Sequence, residues 1–362
     1  MIGLPNAGKT TLFNALTGAG AAVAPYPFCT IEPNAGTVPV PDSRLEILAR
    51  MVHPEKITPA SVHLVDIAGL VRGASRGEGL GNRFLAHIRE VDAVVHVVRL
   101  FADPKVSHVE GVADPVRDVQ TVDTELCLAD LETIGRRLER IEKTARLGDA
   151  AHRSEVAVLR RMEAGLNAGL PVRRRPPPDA VESKYARGLH LLTARPVVYV
   201  ANVSEADLGR APAPALAALC GHARAEEAPV VVLSASFEFE LAGLEPPDQK
   251  AFLADAGLTE PGARALVRAG SHLLGLITFF TTRRPELRAW TVRRGTTAVE
   301  AAGKIHTDFA HGFIRAEVLP FAALEKAGDL SAAREQGGIR LEGRDYRVRD
   351  GDIIHFRFNV TS

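Results

Sequence analysis

Four short apolar runs punctuate the first two-thirds of the chain: Val62-His63-Leu64-Val65-Asp66, Ala93-Val94-Val95-His96-Val97-Val98, Val197-Val198-Tyr199-Val200-Ala201 and Val230-Val231-Val232-Leu233. Their nearly unbroken apolar character is what strands covered on both faces require. Helical patterns lie between them, so the chain predicts a doubly wound α/β sheet. The alternation stops between roughly Arg117 and Arg195. There Leu131, Ile134, Leu138, Ile141 and Ala145 recur at steps of three and four, one apolar stripe along a helix. Gly148-Asp149 can turn the chain, and Leu159, Met162, Leu166 and Leu170 make a returning stripe. The two predict an inserted antiparallel helical hairpin over 117–195, with Arg136, Arg137, Glu139 and Arg140 on solvated faces. The run Arg173-Arg174-Arg175-Pro176-Pro177-Pro178 reads as a stiff exposed connection. Over 277–360, strand-like pieces at Leu287–Val292, Ile314–Val318 and Ile353–Phe358, with one helix from about Ala298 to Phe309, predict a small α+β module.

Composition narrows the class. The 362 residues carry 44 basic and 44 acidic side chains, which excludes a polybasic nucleic-acid coater and an acidic disordered chain. No apolar run approaches the ~18–20 residues of a membrane helix, and no basic segment followed by an apolar one opens the chain. Cys29, Cys127 and Cys220, an odd number without a C-x-x-C pair, argue for a reducing compartment and against zinc. A cytoplasmic protein without a DNA or membrane partner is expected.

The chemistry is concentrated at the start. Gly3 to Thr10, GLPNAGKT, matches G-x-x-x-x-G-K-[ST] in full. Glycines let the backbone of Asn6, Ala7 and Gly8 curl so that successive N–H groups cradle phosphate. Lys9 bridges the outer phosphates, Thr10 supplies a hydroxyl to Mg²⁺, and Thr11 opens a helix whose positive end adds to the anion site. Only Met1 and Ile2 precede Gly3, so the strand that should lead into the loop is short and an open apolar slot is expected. Downstream, Asp66-Ile67-Ala68-Gly69 has the form D-x-x-G after a strand: Asp66 positions Mg²⁺ through water and the Gly69 N–H contacts a γ-phosphate. Between the two, Thr30 in Tyr26-Pro27-Phe28-Cys29-Thr30 is placed to close on Mg²⁺.

These motifs, with YPFCTIEPNAG, VDIAGLVRGASRGEGLGNRFLAHIRE, ANVSE, IHTDFAHGFIRAEV and DGDIIHFRFNV, resemble the YchF subfamily of Obg-like P-loop proteins over essentially the whole chain. The resemblance implies a P-loop nucleotide domain (1–116 and 196–276), the inserted coiled-coil hairpin and a C-terminal TGS domain of β-grasp fold. It also implies ATP hydrolysis within a GTPase-type fold, and association with the ribosome, its large subunit or structured RNA, through the helical and TGS domains.

The residues give a separate reason for ATP. Guanine readers use N-K-x-D, and here the position is Asn202-Val203-Ser204-Glu205: the lysine is absent and the carboxylate is one methylene longer. Adenine has no C2 amine for that carboxylate to accept. Asn202 can donate to N7 and accept from N6–H₂, while Val203 and Phe101 can pack on the base faces. Ser234-Ala235 fits the backbone loop at the base edge. A GTPase of the same fold, and a nucleotide-gated binding protein with negligible hydrolysis, stay open. Leu70 stands where Ras-like enzymes orient water with glutamine, so catalysis leans on Lys9, Mg²⁺ and loop N–H groups. Asn6 can help hold K⁺ or simply brace the loop, and His108 or His87 can place the water. From Ile277 to Val360, twelve Arg and two Lys against eleven acids give +3, a weak basic signal for an RNA-facing surface; Trp290, Phe313 and Phe356 read as core.

Overall fold

The computed structural model describes residues 1–18, 34–67, 80–102, 114–146, 149–174, 180–210, 214–283 and 285–359, with backbone alone at 80–84, 144–146 and 180. It forms two compact units, Met1–Gly36 with Leu64–Gly270 and Thr37–His63 with Ser271–Ser362. Among the described residues no helix is long and apolar enough to cross a membrane.

The larger unit is the α/β P-loop fold. Strands Val94–Arg99, Val197–Asn202 and Val230–Leu233 run parallel in that order, as the apolar runs predict. Met1 and Ile2 take the place of a further strand on the other side. Ile2 donates to Val95 O at 2.8 Å and accepts from Val97 N–H at 2.9 Å, while Met1 bonds to Val65 O and accepts from Ile67 N–H. These bonds dock the entry of the phosphate loop against the strand Val94–Arg99. Tyr199 and Ala201 of the central strand are fully buried, packed with Ile2, Leu4, Val98 and Leu126.

The hairpin consists of a long helix, Pro115–Arg146, and a return helix, Ala150–Asn167, N-capped by Asp149, which accepts from the N–H groups of Ala151 and His152. The long helix serves two cores. Its first half buries Val119, Val122, Leu126 and Ala129 in the sheet core, and its second half buries Ile134, Leu138 and Ile141 against Leu159, Met162 and Leu166. Leu170 lies beyond the return helix and is exposed. At the root, fully buried Asp130 accepts from the N–H of Leu192 and from the N–H and hydroxyl of Thr193, fastening the returning chain.

One expectation fails at this root. Arg173 is no part of an exposed linker: it stands in a 3₁₀ turn, Val172–Arg174, with its side chain 9% exposed. It donates to Asp123 at 2.6 Å and to Glu226 at 3.0 Å, and the Tyr199 hydroxyl donates to Glu226 at 2.9 Å. Buried carboxylates on both sides pull the guanidinium inward.

The smaller unit is built on a mixed six-stranded sheet in the order Arg340–Glu342, Phe313–Pro320, Asp352–Phe358, Leu276–Thr281, Glu286–Arg293, Lys56–Thr58. Helix Ala298–Ile305 lies on one face, burying Ala298, Ala301 and Ala302 with Phe279, Val318 and Phe356, and opens with a Thr297–Glu300 capping box. Trp290, Phe313 and Phe356 belong to this core. The helical pattern reaching Phe309 splits in two, because His306 is extended and its Nδ1 caps a second short helix, Thr307–His311, by accepting from Asp308 N–H. The other core contains Leu45 and Leu48 of helix Ser43–Val52, Leu324, Phe280, Leu287 and Ile353. Residues 37–63, read from sequence as part of the nucleotide domain, thus sit with the C-terminal strands: Lys56–Thr58 pairs in parallel with Glu286–Arg288, and Arg44 joins Asp42 to Asp350.

Candidate nucleotide site

The loop from Gly3 to Thr10 is shaped by positions only certain residues can fill. Gly3 has φ +147°, and a Cβ there would lie 2.3 Å from Val97 O. Gly8 has φ +93°, and a Cβ there would lie 2.3 Å from Asn202 Nδ2. Asn6, exposed at the bend, takes φ 61°, which asparagine tolerates better than most residues. Gly8 is the N-cap of helix Lys9–Thr17, so the first-turn N–H groups and the positive end of the helix face outward from a residue with no side chain of its own.

Lys9 is 7% exposed and donates to Leu4 O at 2.8 Å. Burial holds its pKa below the usual lysine range, and nearby Asp66 opposes that shift. The Thr10 hydroxyl donates to Asp66 Oδ2 at 2.9 Å. Asp66 Oδ1 is buried and accepts no hydrogen bond among the described residues. A hard cation with oxygen ligands and bound water suits this donor set: a serine/threonine-type hydroxyl, a carboxylate already within reach of it, and one carboxylate oxygen with unused capacity. Thr10 and Asp66 thus fit a Mg²⁺ ion.

On the base side Asn202, 2% exposed, is a clamp. Its Nδ2 donates to Ala7 O at 2.8 Å, and its Oδ1 accepts from Ala235 N–H at 2.9 Å. The amide therefore ties the phosphate loop to the turn after strand Val230–Leu233. One amide proton and one lone pair of Oδ1 remain beyond these two bonds, the donor and the acceptor that the two-point adenine contact expected from sequence would use. Val203 is placed differently from the expectation: it is 7% exposed, with its N–H bonded to Leu233 O, which leaves little side chain for stacking. Phe101 is half-buried with the Arg99 guanidinium 4.5 Å over its ring. Glu205 is exposed at the start of a 3₁₀ turn, Glu205–Asp207. Ser234 N-caps helix Ala235–Ala242, accepting from Phe237 N–H, so its hydroxyl is engaged and backbone remains for the base edge. Thr11 is exposed on the first turn of the loop helix.

The structure thus brings Lys9, Thr10 and Asp66 together, and Ala7, Gly8, Asn202 and Ala235. Thr30, Gly69, Leu70 and His108 lie outside the described residues; His87 is half-buried on helix Leu80–Glu90. The acceptor for Lys9, the Leu4 carbonyl, escaped the sequence reading because backbone oxygens leave no residue-type signal.

The family profile described as "50S ribosome-binding GTPase" matches residues 1–135, and the one named YchF-GTPase_C, "Protein of unknown function (DUF933)", matches 276–359. The chain is 46% identical over 361 residues to "Ribosome-binding ATPase YchF" of Bacillus subtilis (strain 168), and 49% identical to the protein of that name from Haemophilus ducreyi. In both cases the match covers 99% of this chain and 98% of the relative. It is similar to the solved structure of the Schizosaccharomyces pombe YchF GTPase, with TM-score 0.86 and 35% identity over 98% of this chain and 96% of that one. On these full-length similarities, the chain belongs to the YchF family.

Proposed function

We propose that the chain binds and hydrolyses ATP with Mg²⁺ as a nucleotide-controlled switch that associates with the ribosome. The observation that carries this reading is the Thr10–Asp66 contact at 2.9 Å beside the buried ammonium of Lys9, with Asp66 Oδ1 unused. The curated relatives are named ribosome-binding ATPases, which supports both halves of the reading.

Lys9 exchanges its bond to Leu4 O for outer phosphate oxygens, where developing charge is stabilised by a group already desolvated. Loop N–H groups from Asn6 to Thr11 hold the remaining oxygens. Thr10, Asp66 and the expected Thr30 would hold Mg²⁺, which would supply charge neutralisation to the phosphates. Gly69 senses the γ-phosphate, and His108 places the attacking water, since Leu70 cannot. Asn6 offers an amide oxygen to K⁺, so exchange of K⁺ for Na⁺ should slow turnover. The large subunit is the expected docking partner, through the hairpin and the C-terminal unit.

Base choice follows from what Asn202-Val203-Ser204-Glu205 lacks. Val203 faces inward and Glu205 opens an exposed turn, so neither supplies the lysine and short carboxylate that guanine readers use. A missing polar recognition pair is worth ~10⁴–10⁵ in discrimination. Competition of ATP against GTP for the Mg²⁺-loaded protein tests this: ATP should win in the wild type, and Val203→Lys with Glu205→Asp should move preference toward GTP. Wild-type preference for GTP would replace the reading with the second one, a GTPase, which is what the Schizosaccharomyces pombe relative is called.

A further inference from the structure

The turn Ser234-Ala235 stands at the expected base edge, and a buried acid outside the nucleotide reading is tied to it. Glu238, 3% exposed, lies one turn along helix Ala235–Ala242. Its own N–H makes an early bond of that helix, to Ser234 O at 2.9 Å. Its side chain reaches a second helix, Gly262–Leu273, where Oε1 accepts from Gly262 N–H at 2.6 Å. Ala263 N–H bonds to the same carboxylate. Pro261 has no N–H, so these two are the first donors the second helix can offer. A carboxylate facing them also meets the positive end of the helix. Burial pushes the Glu238 pKa up, and the two N–H groups oppose that shift.

The second helix fits against the turn because residue 262 has no side chain. A Cβ on Gly262 would lie 2.7 Å from Leu233 Cβ, 3.0 Å from Glu238 Oε1 and 3.5 Å from Val232 O, so the helix start abuts the residues that lead into Ser234. Leu233 O in turn accepts from Val203 N–H at 2.9 Å, and Ala235 N–H donates to Asn202 Oδ1 at 2.9 Å. Hydrogen bonds and close packing thus link Asn202-Val203, the 233–235 turn, Glu238 and Gly262 without a break. Apolar packing also holds helix Ala235–Ala242: Phe237 stacks on Phe252 with 4.7 Å between ring centres, and Leu241 packs with Leu253. Such contacts keep the helix in place but carry no direction. An apolar residue at 238 could cover Leu233 without the desolvation cost of a carboxylate. What the carboxylate adds is a fixed direction for the first turn of the helix, and so for the backbone of Ser234 and Ala235.

We propose that Glu238 is a positioning residue for the purine: by anchoring helix Ala235–Ala242 to Gly262 and Ala263, it sets where the Ser234-Ala235 backbone meets the base edge. The inference rests on the nucleotide reading of that turn. The Lys9 bond to Leu4 O and the Thr10 bond to Asp66 take no part in this linkage, so the hold on the phosphates is separate from it.

The test compares ATP with inorganic tripolyphosphate, which offers the phosphates without a base, by calorimetry on the full chain with Mg²⁺. Glu238→Leu should weaken ATP about tenfold, the worth of one misaligned hydrogen-bonded contact, and leave tripolyphosphate within about twofold. The KM for ATP should rise by a similar factor with kcat close to wild type. Glu238→Gln, which keeps an oxygen for Gly262 N–H, should restore most of the loss. Gly262→Ala presses on Leu233 and Glu238 from the other side. It should reproduce the selective loss, and it decides the matter if Glu238→Leu does not fold. Equal losses of ATP and tripolyphosphate, which a merely structural role would give, overturn the proposal, as does an ATP affinity unchanged in both variants. Failure of the nucleotide reading looks different: the wild type itself then binds ATP no more tightly than tripolyphosphate, and the proposal falls with it. Were GTP preferred by the wild type, a loss confined to GTP in the same variants would uphold the role of Glu238 and replace only the choice of base.

Discussion

Lys9 and Arg173 are both buried cations of the larger unit, and they are satisfied in opposite ways. Arg173 has its carboxylates built in: Asp123 at 2.6 Å and Glu226 at 3.0 Å. Burial alone would lower its pKa, and Asp123, Tyr199 and Glu226 more than reverse this. Lys9 has no such pair. Its hydrogen bond goes to a carbonyl, and burial keeps its pKa below the usual range against the pull of Asp66. A buried charge whose counter-charge is internal holds elements together; one that lacks it is waiting for an anion from outside.

Removing each cation breaks the comparison in opposite directions. Arg173→Met leaves Asp123 and Glu226 buried without their partner and should cost about 3–5 kcal/mol of stability, read from urea unfolding, while turnover per folded molecule stays close to wild type. Neutralising the partners as well, with Asp123→Asn and Glu226→Gln, should recover most of that loss. Lys9→Ala should do the converse. Phosphate release from ATP should fall by about 10²–10³-fold, with the urea midpoint unchanged or higher, because the folded state gives up a strained charge. A large loss of stability in Lys9→Ala would show that the ammonium is a structural group after all.

The same contrast explains what could be read from the sequence. The phosphate loop was legible because its motif fixes backbone shape and chemistry within eight neighbouring residues, and the strands because Val-rich runs have one buried solution. Arg173 was not. Its partners lie 50 and 53 residues away, at Asp123 and Glu226, and the prolines that follow it carry a stronger local signal for an exposed linker. Residues 37–63 show a related effect: the GTPase profile spans them, as the sequence reading did, and only the long-range pairing of Lys56–Thr58 with Glu286–Arg288 groups them with the C-terminal strands. Asn202 was found at the right site, yet which of its amide atoms the protein itself would use depended on Ala7 and Ala235.

Asn202→Ala sharpens the comparison at an intermediate size, since this residue joins the loop that awaits a ligand to a turn that is already complete. It leaves Ala7 O and Ala235 N–H without their buried partner, a loss of about 1–3 kcal/mol. Because the loop loses its brace, ATP affinity measured by calorimetry should fall together with the urea midpoint. Loss of affinity at unchanged stability would mean that Asn202 acts on the base alone.

The smallest expected effect concerns pH and isolates one partner of Arg173. Burial works against the Glu226 carboxylate, but its contacts with His222, Arg173 and Tyr199 outweigh that and hold its pKa at about 2, against an ordinary 4.5. With the folded pKa below the unfolded one, its ionisation contributes stability fully above about pH 4.5 and loses it as pH falls toward 2. Glu226→Gln keeps an acceptor for Tyr199 and Arg173 but cannot titrate. The stability gap between wild type and this variant should therefore be constant near neutrality, narrow below pH 4.5 and close near pH 2. Asp130, whose pKa burial raises against its bonds to Thr193 and Leu192, is present in both chains and cancels in the difference. Urea midpoints measured in parallel across that range decide the matter: a gap that ignores pH would mean Glu226 is already protonated in the native protein, leaving Asp123 as the sole counter-charge of Arg173.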